Sequence, residues 1–297
     1  GSSAASDVYK RQVSIVFNKS KEISLDDETL RSDLLKIASG MDNVIALGRG
    51  DPDFHTPRHI VEAAKKALDE NKHHYTPPTG LPELRKSISK NFELKYNLDY
   101  SEDEIIITAG VQESIALAMI SLLKADDEVL ITSPRFTTYD LTVRMCNAKP
   151  VPVHTYEKDN FALMPELIEQ KITKKTKLLV LVSPNNPTVA VTPPINIKKI
   201  AQIAIDNNLI VISDEIYADL IYDSHEHLSI GSLEKMKERT LTLNGFSKTY
   251  AMTGWRVGYI AGPKDIINKM TEIRHALSIN SCTFSPVSYT HLRAHET

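Results

Sequence analysis

From residue 104 onward, short apolar runs alternate with longer stretches in which apolar residues recur every three or four positions. The runs at 104–108, 128–132, 151–154, 177–182, 209–213, 240–243 and 257–261 read as strands. They are continuously apolar rather than alternating, so both of their faces must be buried. That requires a largely parallel sheet clothed in helices. Between them, 112–124 places Ile115, Met119, Ile120 and Leu123 on one helical stripe, and 60–68 has similar spacing. Earlier, residues 13–45 set Leu30, Leu34, Leu35 and Ile37 among charges, which predicts a helix of moderate amphipathicity. The expected architecture is α/β, a largely parallel seven-stranded sheet between helices, with ligands bound beyond the carboxyl ends of the strands.

Composition narrows the class. The 297 residues are 41% hydrophobic and 25% charged, ordinary for a globular chain. A net charge of −3 without a basic stripe argues against nucleic acid or an anionic membrane as partner. No apolar run is long enough to span a bilayer, and no secretory signal is evident. Cys146 and Cys282 lie far apart without metal-like spacing, as packing thiols in a reducing cytoplasm would. Both ends look foreign. Residues 2–12 (SSAASDVYKRQ) and 287–297 (VSYTHLRAHET) resemble translations of the two adapters of a transposase-based sequencing library. The genuine chain is therefore expected over roughly 13–286, as part of a longer one, and His291 and His295 are not recruited into any site.

The chemistry concentrates between the last two apolar runs. In Asn244-Gly245-Phe246-Ser247-Lys248-Thr249-Tyr250-Ala251-Met252-Thr253-Gly254-Trp255-Arg256, a lysine sits on a loop flanked by hydroxyls and glycines. A desolvated lysine loses part of its charge and becomes a nucleophile towards an aldehyde. Arg256 offers a planar fork suited to phosphate. Together they suggest pyridoxal phosphate held at both ends. Thr108-Ala109-Gly110-Val111-Gln112 joins a strand to a helix start, where free N–H groups also favour a phosphate. His73 and His74 have no third ligand at sensible spacing, and His225-Glu226-His227 reads as loop, so no metal is expected.

The lysine segment resembles that of class I aminotransferases, the pyridoxal-phosphate enzymes of fold type I. Other segments resemble the same family in the same order, through essentially all of 46–280. The resemblance makes Lys248 the residue carrying the cofactor and Asp214, in Ser213-Asp214-Glu215-Ile216-Tyr217, the partner of its ring nitrogen. Tyr217 and Asn186, in Ser183-Pro184-Asn185-Asn186-Pro187-Thr188, would bond its phenolic oxygen, and Phe136 would stack on its ring. Gly110, Val111, Gln112, Ser247 and Arg256 complete the cofactor site. Gly50, in Gly50-Asp51-Pro52-Asp53-Phe54, would let the backbone approach the substrate carboxylate, with Asn186 also on the substrate. Tyr75, ahead of Gly80 and Leu84-Arg85, would reach the phosphate in the neighbouring subunit of a homodimer.

Read from residue types alone, several of these positions admit plainer roles: Gly50 a tight turn, Phe136 a core residue, Asp214 a strand-end acid capping the next turn. Val189 replaces the family's glycine, which would tighten or strain the turn after Asn186.

The resemblance implies transfer of an amino group between an L-amino acid and a 2-oxo acid, with Lys248, Asp214 and Tyr217 as the catalytic residues. A carbon–sulfur lyase or related synthase would use the same residues, so the fold does not decide between them. A transcriptional regulator would need a basic DNA-binding region ahead of Gly50, and the chain offers too little there. The family's substrate-carboxylate arginine lies in a C-terminal segment beyond this chain, so an inactive fragment is a further reading. The expected layout is an N-terminal arm and part of a small domain at 13–49, a large cofactor-binding domain at 50–280, and the start of a truncated C-terminal domain at 281–286.

Overall fold

The apolar runs pair into a single seven-stranded sheet of order β1-β7-β6-β5-β4-β2-β3. The strands are β1 (Ile105–Thr108), β2 (Glu128–Ser133), β3 (Lys149–His154), β4 (Thr176–Val182), β5 (Ile210–Asp214), β6 (Thr240–Gly245) and β7 (Gly258–Ala261). This computed structural model describes residues 51–283 and 285, and nearer the start 33, 34, 36–38, 40, 41 and 50. The chain divides into two units, 1–50 and 51–297. In the first, the described residues 33, 34 and 36–38 are helical, in agreement with the predicted helix at Leu34 and Ile37. Leu30 and Leu35 lie outside the described residues.

In the second unit the helices are α1 (Arg58–Asp69), α2 (Pro82–Tyr96), α3 (Val111–Leu122), α4 (Thr138–Met145), α5 (Pro165–Glu169), α6 (Pro194–Asp206) and α7 (Lys264–Ser278). None among the described residues is long and apolar enough to cross a membrane. The continuous apolar strands divide their side chains between two cores. Leu178, Val180 and Val182 of β4 pack with Ile106, Ile212, Leu243 and Ile260 beneath Ile115 and Met119 of α3, Val143 of α4 and Ile267 of α7. Leu179 and Leu181 face the other way, with Val211, against Ile197, Ile200 and Ala204 of α6. Ile105, Ile107 and Tyr259, on that second face, pack with Leu84, Ile88 and Phe92 of α2 and Ile60 of α1. Each such side chain taken from water stabilises by about 1.5–3 kcal/mol, which is why strands buried on both faces read as unbroken apolar runs.

Two details of the sheet position the site. Strands β2 to β6 are mutually parallel, but β7 runs antiparallel between β1 and β6, pairing Gly258 with both Thr108 and Gly245. The start of β7 therefore lies where β1 and β6 end. Strand β3 begins earlier than its sequence suggested, with Lys149 and Pro150 paired to Glu128 and Val129. It is an edge strand, where proline costs no ladder hydrogen bond on its outer side.

Candidate active site

Arg256 lies two residues before β7, and the inverted strand carries it to the end of β1. Its guanidinium donates to the Thr253 carbonyl at 2.9 Å and to the Ala109 carbonyl at 3.3 Å. Gly110, the residue after Ala109, has φ +84°, and a Cβ there would lie 2.5 Å from Arg256 Nη2. Only glycine leaves room for the arginine over this turn. Gly258 is equally confined, since a Cβ on it would meet the Gly110 carbonyl carbon at 2.7 Å. Gly110 caps α3, so the Val111 and Gln112 N–H groups precede the first intrahelical bond. Helix dipole and guanidinium together make the turn a receptor for an anion. The Gln112 side chain donates to Thr138 Oγ1 at 3.2 Å.

At the end of β6, the loop from Phe246 folds back on itself. Met252 N–H donates to the Ser247 carbonyl at 3.1 Å, and the buried Phe246 ring anchors the turn. Ser247 is buried and Lys248 half-buried. Desolvation pulls the Lys248 ammonium below its usual pKa, Asp51 opposes this and Arg256 adds to it. Lys248 Nζ lies 5.8 Å from the centre of the Tyr217 ring. The Tyr217 hydroxyl is pushed up by burial and then by Asp214, while a hydrogen bond from the Asn186 side chain opposes the rise. Lys248, Tyr217 and Asn186, from loops after three neighbouring strands, thus form one contiguous group.

Asp214 ends β5 and is buried. Both of its hydrogen bonds come from neutral donors, the Tyr139 hydroxyl at 2.5 Å and the Ile216 N–H at 3.1 Å. Burial pushes its carboxyl up to about 6; the two donors pull it down, and Glu215 adds a smaller rise. A buried carboxylate in this state favours a cationic partner, such as a protonated ring nitrogen. The group therefore fits a ligand bearing an anion, an electrophilic carbon and a ring cation.

The turn after β4 is held by Asn185, whose side chain donates to Thr188 Oγ1 at 2.8 Å and to the Pro134 carbonyl at 3.2 Å. Val189 N–H donates to the Asn185 carbonyl at 2.8 Å, closing the turn. Val189 adopts φ +61° and is 72% exposed. The turn keeps the left-handed position that suits glycine and forces a β-branched residue into it, so the strain alternative is the one adopted.

The remaining expected residues have the following surroundings. Phe136 is half-buried and packs against the α3–α4 core. Tyr75 is 80% exposed and lines a cavity of about 540 Å³ with His73, His74, Asn280 and Cys282. Gly50 belongs to the first unit. Among the described residues no group of side chains is arranged for a metal.

Three features escaped the sequence reading. Tyr139 is the donor to Asp214, and nothing in its own helix marks it. Glu215, almost fully buried, accepts from Ser213 Oγ at 2.9 Å and Ser229 Oγ at 2.6 Å, and meets His227 Nε2 at 3.0 Å. His227, read as loop, thus closes a buried polar cluster around Glu215, the residue after Asp214; the signal was an acid at a buried strand end that needed donors. Arg274, fully buried on α7, is the third.

Residues 42–296 match the family model of class I and II aminotransferases. The chain is 46% identical over 242 residues to an aspartate aminotransferase of Pyrococcus abyssi, covering 81% of this chain and 62% of that protein. It is 40% identical over 262 residues to aromatic-amino-acid aminotransferase 2 of Thermococcus litoralis, covering 88% of this chain and 67% of that one. The crystal structure of an aromatic aminotransferase from Pyrococcus horikoshii superposes with a TM-score of 0.82 at 41% identity, covering 88% of this chain and 69% of that one. The chain thus spans about two thirds of the length of the proteins it matches.

Proposed function

The chain belongs to the class I and II aminotransferase family, and we propose that it carries the cofactor-binding part of an enzyme moving an amino group between an L-amino acid and a 2-oxo acid. The cofactor of this reading is pyridoxal phosphate. One observation carries it: a half-buried amine, Lys248, in the loop after β6, and a buried carboxylate, Asp214, at the end of the neighbouring β5, with the Tyr217 ring beside the amine. Gly110 supports the fit, because only a residue without a Cβ lets the Arg256 guanidinium stand over the turn that opens α3.

In this reading Lys248 binds the cofactor's aldehyde carbon. Arg256, Ser247 and the turn Gly110-Val111-Gln112 receive its phosphate, Asp214 its ring nitrogen, Tyr217 and Asn186 its phenolic oxygen, and Phe136 its ring face. Pyridoxal phosphate, when bound, supplies an electron-withdrawing ring that allows the substrate Cα–H bond to break. Asp214 holds a proton on the ring nitrogen, which its neutral hydrogen-bond donors leave it free to do. Lys248 takes and returns the Cα proton, and the downward shift of its pKa by desolvation favours the neutral amine that this step uses. Asn186 also receives the substrate. Tyr75, exposed on its loop, reaches the phosphate of a second copy, so the active form is a homodimer. Cys146 and Cys282 are free thiols, which supports a cytoplasmic setting.

The test is to mix the protein with pyridoxal phosphate, reduce with borohydride and locate the adduct by mass spectrometry. The adduct is expected on Lys248. Lys248→Ala should lose it, with transamination falling at least about 10²–10⁴-fold, the usual worth of positioned proton transfer. Label on another lysine, or transamination retained by Lys248→Ala, would overturn the assignment.

A further inference from the structure

A fully buried arginine outside the group just described joins the segments on which that group depends. Arg274, on α7, donates to the Pro78 carbonyl at 2.7 Å, to the Ile107 carbonyl and to Ser281 Oγ. Its Nε faces Glu113 Oε1 at 3.5 Å, an ion pair rather than a hydrogen bond. Glu113 lies in the first turn of α3, and its other oxygen accepts the Ala109 N–H at 2.5 Å. The Ala109 carbonyl in turn receives Arg256. The two peptide groups that flank Ala109 are therefore both held, the first by Glu113 at its N–H and the second by Arg256 at its carbonyl.

This arrangement contains an electrostatic conflict. Glu113 tightens the turn, but its carboxylate stands in the helix turn whose N–H groups would receive an anion. An uncompensated charge there would repel that anion. Arg274 removes the conflict. It is shielded from water, always charged, and has no acid partner but Glu113 among the described residues. Ser278 Oγ adds a neutral donor to Glu113 Oε1 at 3.2 Å.

We propose that Arg274 is a positioning residue for the anion-binding turn: by neutralising Glu113 it lets that carboxylate brace Ala109 without repelling a phosphate at Gly110, Val111 and Gln112. This rests on the reading that the turn and Arg256 receive a phosphate. The same guanidinium ties the turn to the Tyr75-bearing loop through Pro78 and to α7, so one side chain keeps the turn in register with two neighbouring segments.

Trp255, the sole tryptophan, adjoins Arg256, so its fluorescence can report anion binding without any turnover. The experiment titrates the full chain with inorganic phosphate, and in parallel compares pyridoxal phosphate with pyridoxal, which lacks the phosphate. Arg274→Met should weaken phosphate about tenfold and leave pyridoxal unchanged. Glu113→Gln, which keeps a carbonyl for Ala109 N–H but removes the charge, should strengthen phosphate binding. The double variant should return close to the parent protein, because the two charges cancel.

A merely structural role would weaken both ligands alike and give no such return. Equal losses for pyridoxal and pyridoxal phosphate, or no recovery in the double variant, would overturn the proposal. If Arg274→Met does not fold, Glu113→Gln alone still decides, since weaker or unchanged phosphate binding contradicts the charge argument. If the parent protein itself binds phosphate no better than the Arg256→Ala variant, the phosphate reading of the turn fails instead.

Discussion

Replacing Asp214 by asparagine should make the cofactor-free protein more stable at neutral pH while disabling it. Asp214 is buried against neutral donors, and its carboxyl is pushed from 3.8 up to about 6. That rise corresponds to roughly 3 kcal/mol of cost for the ionised form. The native state holds this proton where the unfolded chain has released it. Stability therefore falls as pH rises from about 4 through about 6 and stays low above. Asparagine has no charge to bury. Its Oδ1 can still accept from Tyr139, but its amide meets the Ile216 N–H donor, a loss of about 1 kcal/mol. The expected net gain is about 2 kcal/mol at pH 8, about 4–8 °C in Tm for a unit of this size; it crosses zero at about pH 4.5 and reverses to a loss of about 1 kcal/mol at lower pH. Denaturant melts of both proteins from pH 4 to pH 8, without cofactor, measure it. Added pyridoxal phosphate should then stabilise the parent protein more than Asp214→Asn. A variant no more stable than the parent at pH 8, or a difference that does not change with pH, would refute the account of Asp214 as a buried anion awaiting a cation.

Two further expectations concern backbone positions. Val189→Gly should raise stability by about 1 kcal/mol in denaturant melts, because a β-branched residue at φ +61° is replaced by one that adopts it freely. Unchanged or lower stability would show that the unfolded-state entropy of glycine outweighs the relief. Gly110→Ala should cost about 1–3 kcal/mol in the same assay, because the position has φ +84°, and should also displace Arg256, weakening pyridoxal phosphate more than pyridoxal. Equal affinities for the two ligands before and after the change would separate Gly110 from the phosphate.

Much of the architecture was legible because burial leaves a local trace. Leu178 to Val182 cannot alternate when Leu179 and Leu181 meet one core and Val180 and Val182 another, so the run itself reveals a central strand. Strand limits were therefore found to within two residues, and Lys248, Asp214 and Asn186 could be placed at strand ends before any contact was known. The edge strand β3 was clipped because Pro150 reads as a breaker until its place at the sheet margin is known.

Tertiary structure decided the rest. No run of residues declares that β7 inserts antiparallel between β1 and β6, yet that inversion alone brings Arg256 to Ala109, 147 positions away. The hydroxyl on Asp214 comes from Tyr139, 75 positions earlier, and a tyrosine on a helix carries no mark of the carboxylate it will meet. Arg274 reads as one more helix cation until folding buries it against Glu113 and the Pro78 carbonyl. Hydrophobic periodicity is a property of neighbours along the chain, whereas compensation of a buried charge depends on which distant group the fold delivers to it. The chain order thus determined the strands and the positions of the candidate residues, and the three-dimensional arrangement determined their burial, their partners and the space left between them.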